Sequence, residues 1–374
     1  MIKKKNKIKQ RLLYFGYILV IFVAAMEIIL RIYNPFPQKI NGDRWEMSTN
    51  TSYRFTNDFN SRLDSVIINK ENSLGFRGEN PPANINNYFS VLTIGGSTTA
   101  CTFLSEGKTW TDLLGNKIKN QYSQFWINNA GIDGHSSYGH LNFMYYYLPK
   151  ISVSPKLALF LIGANDVDRS DLSHIDSTLN NRLSYKIKKW FFTHSETVIF
   201  FRNLKHVLFP ENIFRDKENW NFKNFEAVHL SNNYIDSALK AQTDILNSYK
   251  QRLNQIISLC AKSKIQPVFI TQPTVFGNGT AEGGNPAIDF HVFHTHENGQ
   301  LFWLKLQLYN NITKQVAKDN KIFCIDLASE MPKDTLYYYD IVHYTNAGAQ
   351  KVADIIFDDL KDYLAREYYQ FEKK

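Results

Sequence analysis

The chain has 374 residues, 44% of them hydrophobic and 21% charged, which excludes a largely disordered protein and leaves room for one large domain or two small ones. Its formal charge is +8, but Lys3, Lys4, Lys5, Lys7, Lys9 and Arg11 carry six of those charges, so everything after residue 11 holds only +2. That near-neutral body gives no electrostatic footprint for nucleic acid, and three cysteines, Cys101, Cys260 and Cys324, are an odd and sparse set that suits small core side chains better than a disulfide framework.

After the basic tail, Leu12 to Met26 is almost wholly apolar, and the run continues past Glu27 through Ile28, Ile29 and Leu30. This approaches the roughly 20 residues that a helix needs to cross a bilayer. Bases ahead of the run predict a cytoplasmic N-terminus, so the chain is expected to cross the membrane once and to hold its remaining domain on the extracytoplasmic side, periplasmic or cell-surface. Glu27 and Arg31 suit the headgroup end of a retained anchor, where side chains snorkel. Small residues at Val23-Ala24-Ala25 keep a cleaved signal peptide as the alternative. Asn34-Pro35-Phe36-Pro37 stops the helix, because proline cannot continue it and restrains the residue before it.

The tail and anchor thus take residues 1–36, and 37–85 reads as an irregular juxtamembrane segment. Within it, Asn72-Ser73-Leu74-Gly75-Phe76-Arg77-Gly78 has the look of a surface turn punctuated by two glycines. A main domain over 86–370 follows. Strand-like apolar runs at Phe89–Ile94, Trp126–Asn128, Leu157–Ile162, Pro267–Thr271 and Ile322–Ile325 alternate with helical spacing, which predicts an α/β, doubly wound, parallel five-stranded sheet with helices on both faces. A helical insertion is expected at about 168–232; its Lys186, Lys188, Lys189, Trp190, Phe191, Phe192, Phe200, Phe201 and Arg202 mix bases with aromatics. Such a segment packs its aromatics into its own core, covers the site as a lid, or leans on the membrane. Ile235, Leu239, Ile245, Leu246, Tyr249, Leu253, Ile256 and Cys260 have the spacing of one long amphipathic helix. Thr345 or Asn346 would cap a last helix whose apolar face is Val352, Ile355, Ile356, Leu360 and Leu364.

Four short segments carry the chemistry. Ser97 follows a strand and two glycines, which permit the sharp strand-to-helix turn that exposes a hydroxyl. A plain N-cap serine has the same appearance, whereas a P-loop is excluded because no Gly-Lys-Ser/Thr follows. Asp340 and His343, three apart, allow a carboxylate to hold one imidazole nitrogen while the other faces a nucleophile. Gly134 in Asn129-Ala130-Gly131-Ile132-Asp133-Gly134 and Asn165 in Gly163-Ala164-Asn165-Asp166 follow strands, at the sheet edge where sites form, and offer donors to a developing oxyanion. Both are also ordinary turn residues. His291, His294 and His296 lack the spacing of strong metal motifs, and suit a loop that lines the substrate pocket.

In order and content these segments resemble the signature blocks of the SGNH hydrolases, or GDSL-type esterases, over residues 88–365. The resemblance implies Ser97 as nucleophile, Asp340 and His343 as the rest of the triad, and an oxyanion hole from Ser97, Gly134 and Asn165. Gly96 departs from the family's Asp before the serine, which bears on how the Ser97 turn is held. The 72–78 segment is similar to one that precedes the serine block in many membrane-anchored members. By resemblance and location, the expected activity is serine esterase hydrolysis of O-acyl groups on carbohydrate or another envelope substrate, through an acyl-enzyme. No cofactor, metal or nucleic-acid partner is expected. An O-acyltransferase with the same triad and a silent binding or scaffold domain in envelope assembly are the alternatives.

Overall fold

Strands β1 (Phe89–Gly95), β2 (Phe125–Asn129), β3 (Leu157–Ile162), β4 (Gln266–Thr271) and β5 (Phe323–Ile325) form one parallel sheet in the order β2-β1-β3-β4-β5. The computed structural model describes residues 2–33, 39–41, 44–47, 49–58, 60–169, 195–208, 227–277, 291–292 and 297–373. Every residue of β1 and β3 is buried, as expected of central parallel strands covered on both faces. On one face Val91, Leu157, Leu159, Leu161, Val268 and Ile270 share a cluster with Leu114 and Ile118 of α3 (Trp110–Gln121) and Val352, Ile356, Leu360 and Leu364 of the C-terminal helix α9 (Asn346–Glu367). Helices α7 (Thr243–Lys262) and α8 (Gly299–Asp319) pack on each other and on β4, bringing Tyr249 and Tyr309 to a ring separation of 5.2 Å.

This is the doubly wound architecture expected from the sequence. Because the chain runs from β1 outward to β2 and then returns to β3 on the other side, the ends of β1 and β3 meet at the point where the winding reverses, the usual place for a site in such sheets.

Two expectations are corrected. The stretch 37–85 is not irregular: it contains antiparallel pairs Lys39–Asn41 with Arg44–Glu46 and Thr51–Thr56 with Val66–Glu71. Nor is 232–262 one helix. It is α6 (Asn232–Lys240) and α7, broken at Gln242. Gln242 is buried, donates to Asp168 Oδ1 at 2.6 Å and accepts from Tyr309 Oη at 2.9 Å, so tertiary hydrogen bonds override a continuous apolar stripe.

The chain divides into two units. The larger comprises 48–176 and 216–374; the smaller joins 1–47 with 177–215. In the smaller, α1 (Ile2–Ile32) contains a 20-residue apolar stretch, Leu13–Ile32, with a mean hydropathy of 2.4. It is long and apolar enough to span a membrane. Also in that unit is α5 (Glu196–Leu208).

Thr345 is the N-cap of α9: its Oγ1 accepts from Gly348 N at 3.0 Å and donates to Leu336 O at 2.7 Å. Thr345→Ala should therefore lower stability by about 0.5–2 kcal/mol, read as a lower urea midpoint at unchanged slope. An unchanged midpoint would show that the cap contributes nothing.

Candidate active site

The site is assembled on three loops at the carboxyl ends of β1, β2 and β3 and on the turn that enters α9. At the end of β1 the chain passes through Gly95 and Gly96 into α2 (Ser97–Ala100), one turn of helix closed by Cys101 in the left-handed region at φ +51°. A Cβ on Gly95 would run into Thr99 and Leu161 O, and one on Gly96 into Asn165 Nδ2 and His135 O. Glycine at 96 therefore clears the space in which the Asn165 amide sits. The glycine noted before Ser97 in the sequence thus falls where a Cβ would meet both the Asn165 amide and His135 O.

Asp340 and His343 occupy a tight turn before α9. Asp340 Oδ1 accepts from the backbone N–H groups of Val342 (2.9 Å) and His343 (2.8 Å), while Oδ2 is 2.6 Å from His343 Nδ1. His343 Nε2 lies 2.7 Å from Ser97 Oγ. The carboxylate accepts throughout, so Nδ1 carries the proton and Nε2 is left to accept from the serine hydroxyl. Burial alone would raise the Asp340 carboxyl, but the facing imidazole and the two N–H donors hold it below its ordinary value. For His343 burial acts downward, and the Asp340 carboxylate outweighs it, so its pKa is raised above the ordinary 6.5.

The other loops are tied to this line. Asn129 Nδ2 donates to Thr99 O at 2.6 Å and Ile132 N to Gly95 O at 3.0 Å, fastening the loop after β2 to the Ser97 turn. Gly134 in that loop has φ +75°, a conformation that favours glycine. Asn165 follows Gly163 (φ +124°) and donates from Nδ2 to His135 O at 3.0 Å. The structure thus brings together Ser97, His343 and Asp340 directly. It sets Asn165 against the serine turn and against the residue after Gly134.

Three arginines, none given a role from the sequence, clamp these loops. Arg77 donates to Ala100 O and Cys101 O at 2.8 Å and to Leu104 O at 2.7 Å. Arg62 donates to Thr335 O, Tyr338 O and Tyr339 O at 2.5–3.1 Å, ahead of Asp340. Arg252, buried, donates from Nε to Ser137 Oγ at 2.6 Å, at the start of α4 (Ser137–Asn142), and pairs with Asp166 at 3.3 Å; Ser137 Oγ in turn donates to Asp166 Oδ1. That last network joins the two loops holding Gly134 and Asn165. Asp166, in Gly163-Ala164-Asn165-Asp166, is fully buried beside the candidate donor Asn165, a placement that no sequence periodicity records. The 72–78 segment is likewise no surface turn, since Asn72, Leu74, Phe76 and Arg77 are buried.

Beside Ser97 and His343 lies a recess with about 10 Å³ of free space, walled by Cys101, Phe103, Leu104 and Tyr339. Burial pushes the Cys101 thiol up to about 12, so it stays protonated and does not compete with the serine. A larger cavity, of about 100 Å³ and lined by Gln272, Trp303, Asn310, Lys314 and Asp326, does not reach the serine. Of the three clustered histidines, His291 falls in the short strand His291–Val292; His294 and His296 lie outside the described residues, as do Lys186, Lys188, Lys189, Trp190, Phe191 and Phe192.

No protein-family model matches the sequence, and no curated protein matches it either. Solved structures do. An alpha/beta hydrolase enzyme from the metagenome of Lake Arreo, Spain, is 12% identical with a TM-score of 0.42, over 73% of this chain and 94% of that one. The lipase/acylhydrolase from Enterococcus faecalis is 13% identical with a TM-score of 0.40, over 73% and 96%. A catalytic mutant of Axe2, an acetylxylan esterase from Geobacillus stearothermophilus, is 13% identical with a TM-score of 0.41, over 72% and 93%. Likeness at this level leaves the chemistry to the site's own geometry.

His135 and His140, buried beside the Asn165 loop with rings 6.3 Å apart, both have pKa values pushed down to about 3 by burial. They are neutral in the fold, whereas unfolded histidine takes up a proton near pH 6.5. A depressed folded-state pKa contributes stability that is present above the unfolded value and lost as pH falls toward the folded one. The melting temperature should therefore drop as pH is lowered from about 6.5, and His140→Phe should make that drop shallower. An identical acid dependence in wild type and variant would contradict the buried neutral state.

Proposed function

We propose that the chain is an SGNH-type serine ester hydrolase with Ser97, His343 and Asp340 as its triad. The observation that carries this is the unbroken hydrogen-bonded line from Asp340 Oδ2 through the imidazole to Ser97 Oγ, at 2.6 and 2.7 Å. Ser97 Oγ attacks the ester carbonyl while His343 Nε2 takes its proton, and Asp340 keeps the imidazole oriented and stabilises the imidazolium. Negative charge on the tetrahedral oxygen is met by the backbone N–H groups of Ser97 and Gly134 and by the second N–H of the Asn165 amide. The imidazolium then protonates the departing alcohol, leaving an acyl-serine, and the same base activates water to hydrolyse it.

The recess beside Ser97 has room for a group about the size of one water molecule, which favours a short acyl chain such as acetyl. By resemblance and location, carbohydrate O-acyl esters outside the cytoplasm are the favoured substrate class, the basic tail before the apolar helix favouring an extracytoplasmic main unit. The anchor is retained, and the hydrolase works at the membrane surface as a single-pass protein.

A series of p-nitrophenyl esters tests both parts. Acetate should be cleaved with the highest kcat/KM, falling as the acyl chain lengthens; preference for long chains would overturn the short-acyl reading. Ser97→Ala should abolish turnover, a loss on the order of 10⁶ in kcat where such nucleophiles have been removed. Because only the neutral imidazole is a base, kcat/KM should fall as pH drops through a value above 6.5, and Asp340→Asn should move that limb to lower pH.

A further inference from the structure

The apolar stretch of α1 contains one acid and one base, Glu27 and Arg31. The Glu27 carboxylate is not left to the surrounding medium. It pairs with Arg31 at 2.8 Å and receives three donors from the start of α5: Glu196 N at 3.0 Å, Thr197 N at 3.0 Å and Ser195 Oγ at 2.9 Å. Two of the N–H groups that a helix start leaves without intrahelical partners thus end on a side chain of α1, in the arrangement a helix dipole favours.

The depth of this contact follows from helix geometry. Glu27 lies five residues before Ile32, the end of the apolar stretch, or about 7.5 Å along the axis at 1.5 Å per residue. If the stretch spans a bilayer, the carboxylate lies inside the hydrocarbon boundary, where an unpaired charge is costly. The start of α5, bonded to it, must sit at the same depth. The sequence of α5 suits that place: of its residues Val198, Ile199, Phe200, Phe201, Leu204, Val207 and Leu208 are apolar, with Arg202 and Lys205 among them. Ile199 is buried, whereas Phe201 is 55% exposed, its ring edge-on to Phe200.

We propose that α5 is a second membrane-seated element, docked on the anchor through Glu27 and presenting Phe201 to the acyl chains at the outer boundary of the same bilayer. The inserted segment then returns to the membrane after the Asn165 loop in sequence, and the chain holds the bilayer with two helices in place of one. Glu27 in this arrangement is the residue that lets a charge remain within the span, because α5 and Arg31 satisfy it. The inference rests on the reading of α1 as a membrane anchor.

The test uses the full chain in phospholipid nanodiscs, with a bimane label at single added cysteines and the unsubstituted chain as background. Quenchers are lipids with nitroxide on the acyl chain, or iodide in the water. Phe22→Cys reports the anchor, Phe201→Cys reports α5, and Tyr369→Cys, at an exposed site in the main unit, reports water. Lipid nitroxide should quench the labels at 22 and 201, and iodide the one at 369. Glu27→Ala should release the label at 201 to iodide and leave the one at 22 in lipid. Iodide quenching at 201 with lipid quenching at 22 overturns the proposal and spares the anchor, as does a label at 201 reached by neither quencher, which points to a protein partner or second copy. Iodide quenching at 22 overturns the anchor reading itself.

Discussion

One turn of helix forms too few hydrogen bonds to offset the conformational entropy of its own nucleation, so α2, which presents Ser97, has to be held from outside. Arg77 does this. Its guanidinium sits at the C-terminal end of the turn on the carbonyls of Ala100, Cys101 and Leu104, while Nε pairs with Glu106 at 2.7 Å. The backbone of Arg77 is in turn bridged to Asn129, at 3.0 and 2.9 Å, and Asn72 donates to Asn128 Oδ1 at 2.6 Å. One buried residue, through its side chain and its backbone, therefore couples the segment before the sheet, the serine turn and the end of β2. Lysine, with a point charge in place of a planar fork, offers no equivalent.

The same device recurs at the other loops. Arg62 gathers three carbonyls ahead of the Asp340 turn, and Arg252 bridges Ser137 and Asp166 between the two candidate oxyanion loops. Each arginine comes from an element that contributes nothing to the reacting atoms. A catalytic geometry must be maintained within tenths of an ångström to be useful, and loops rich in glycine do not maintain themselves. Guanidinium groups, those of Arg77 and Arg252 buried and that of Arg62 half-buried, each donating to at least two acceptors, provide that rigidity. Buried packing of Tyr338, Tyr339 and Tyr344 around the turn, with Tyr339 stacked on the His343 ring at 5.5 Å, completes it.

What the sequence disclosed, it disclosed through period and order. The runs of β1, β3 and β4 are apolar enough to announce central parallel strands, and the stripe of α9 with Thr345 ahead of it announces a capped amphipathic helix. The order of the Ser97, Gly134, Asn165 and Asp340–His343 segments pointed to residues that the fold brings to one edge of the sheet. Long-range polar bonds were not legible. Gln242 breaks a helix although nothing in its apolar spacing says so, and the pairs at 51–56 and 66–71 mix polar and apolar residues too evenly to stand out as strands. Arg62, Arg77 and Arg252 act across separations of 23 to 277 residues, which no local pattern records. The closeness of Gly96 to the Asn165 amide and His135 O is likewise a contact that no local pattern records.

The central claim is that Ser97 is an activated nucleophile, and the most direct measurement is active-site labelling of the purified full chain with a fluorophosphonate, read by intact mass and then by fragmentation of the modified peptide. The account predicts one adduct per chain, on Ser97, with labelling lost in His343→Ala. No adduct under conditions where the fold is intact, or an adduct on any other residue, would contradict it.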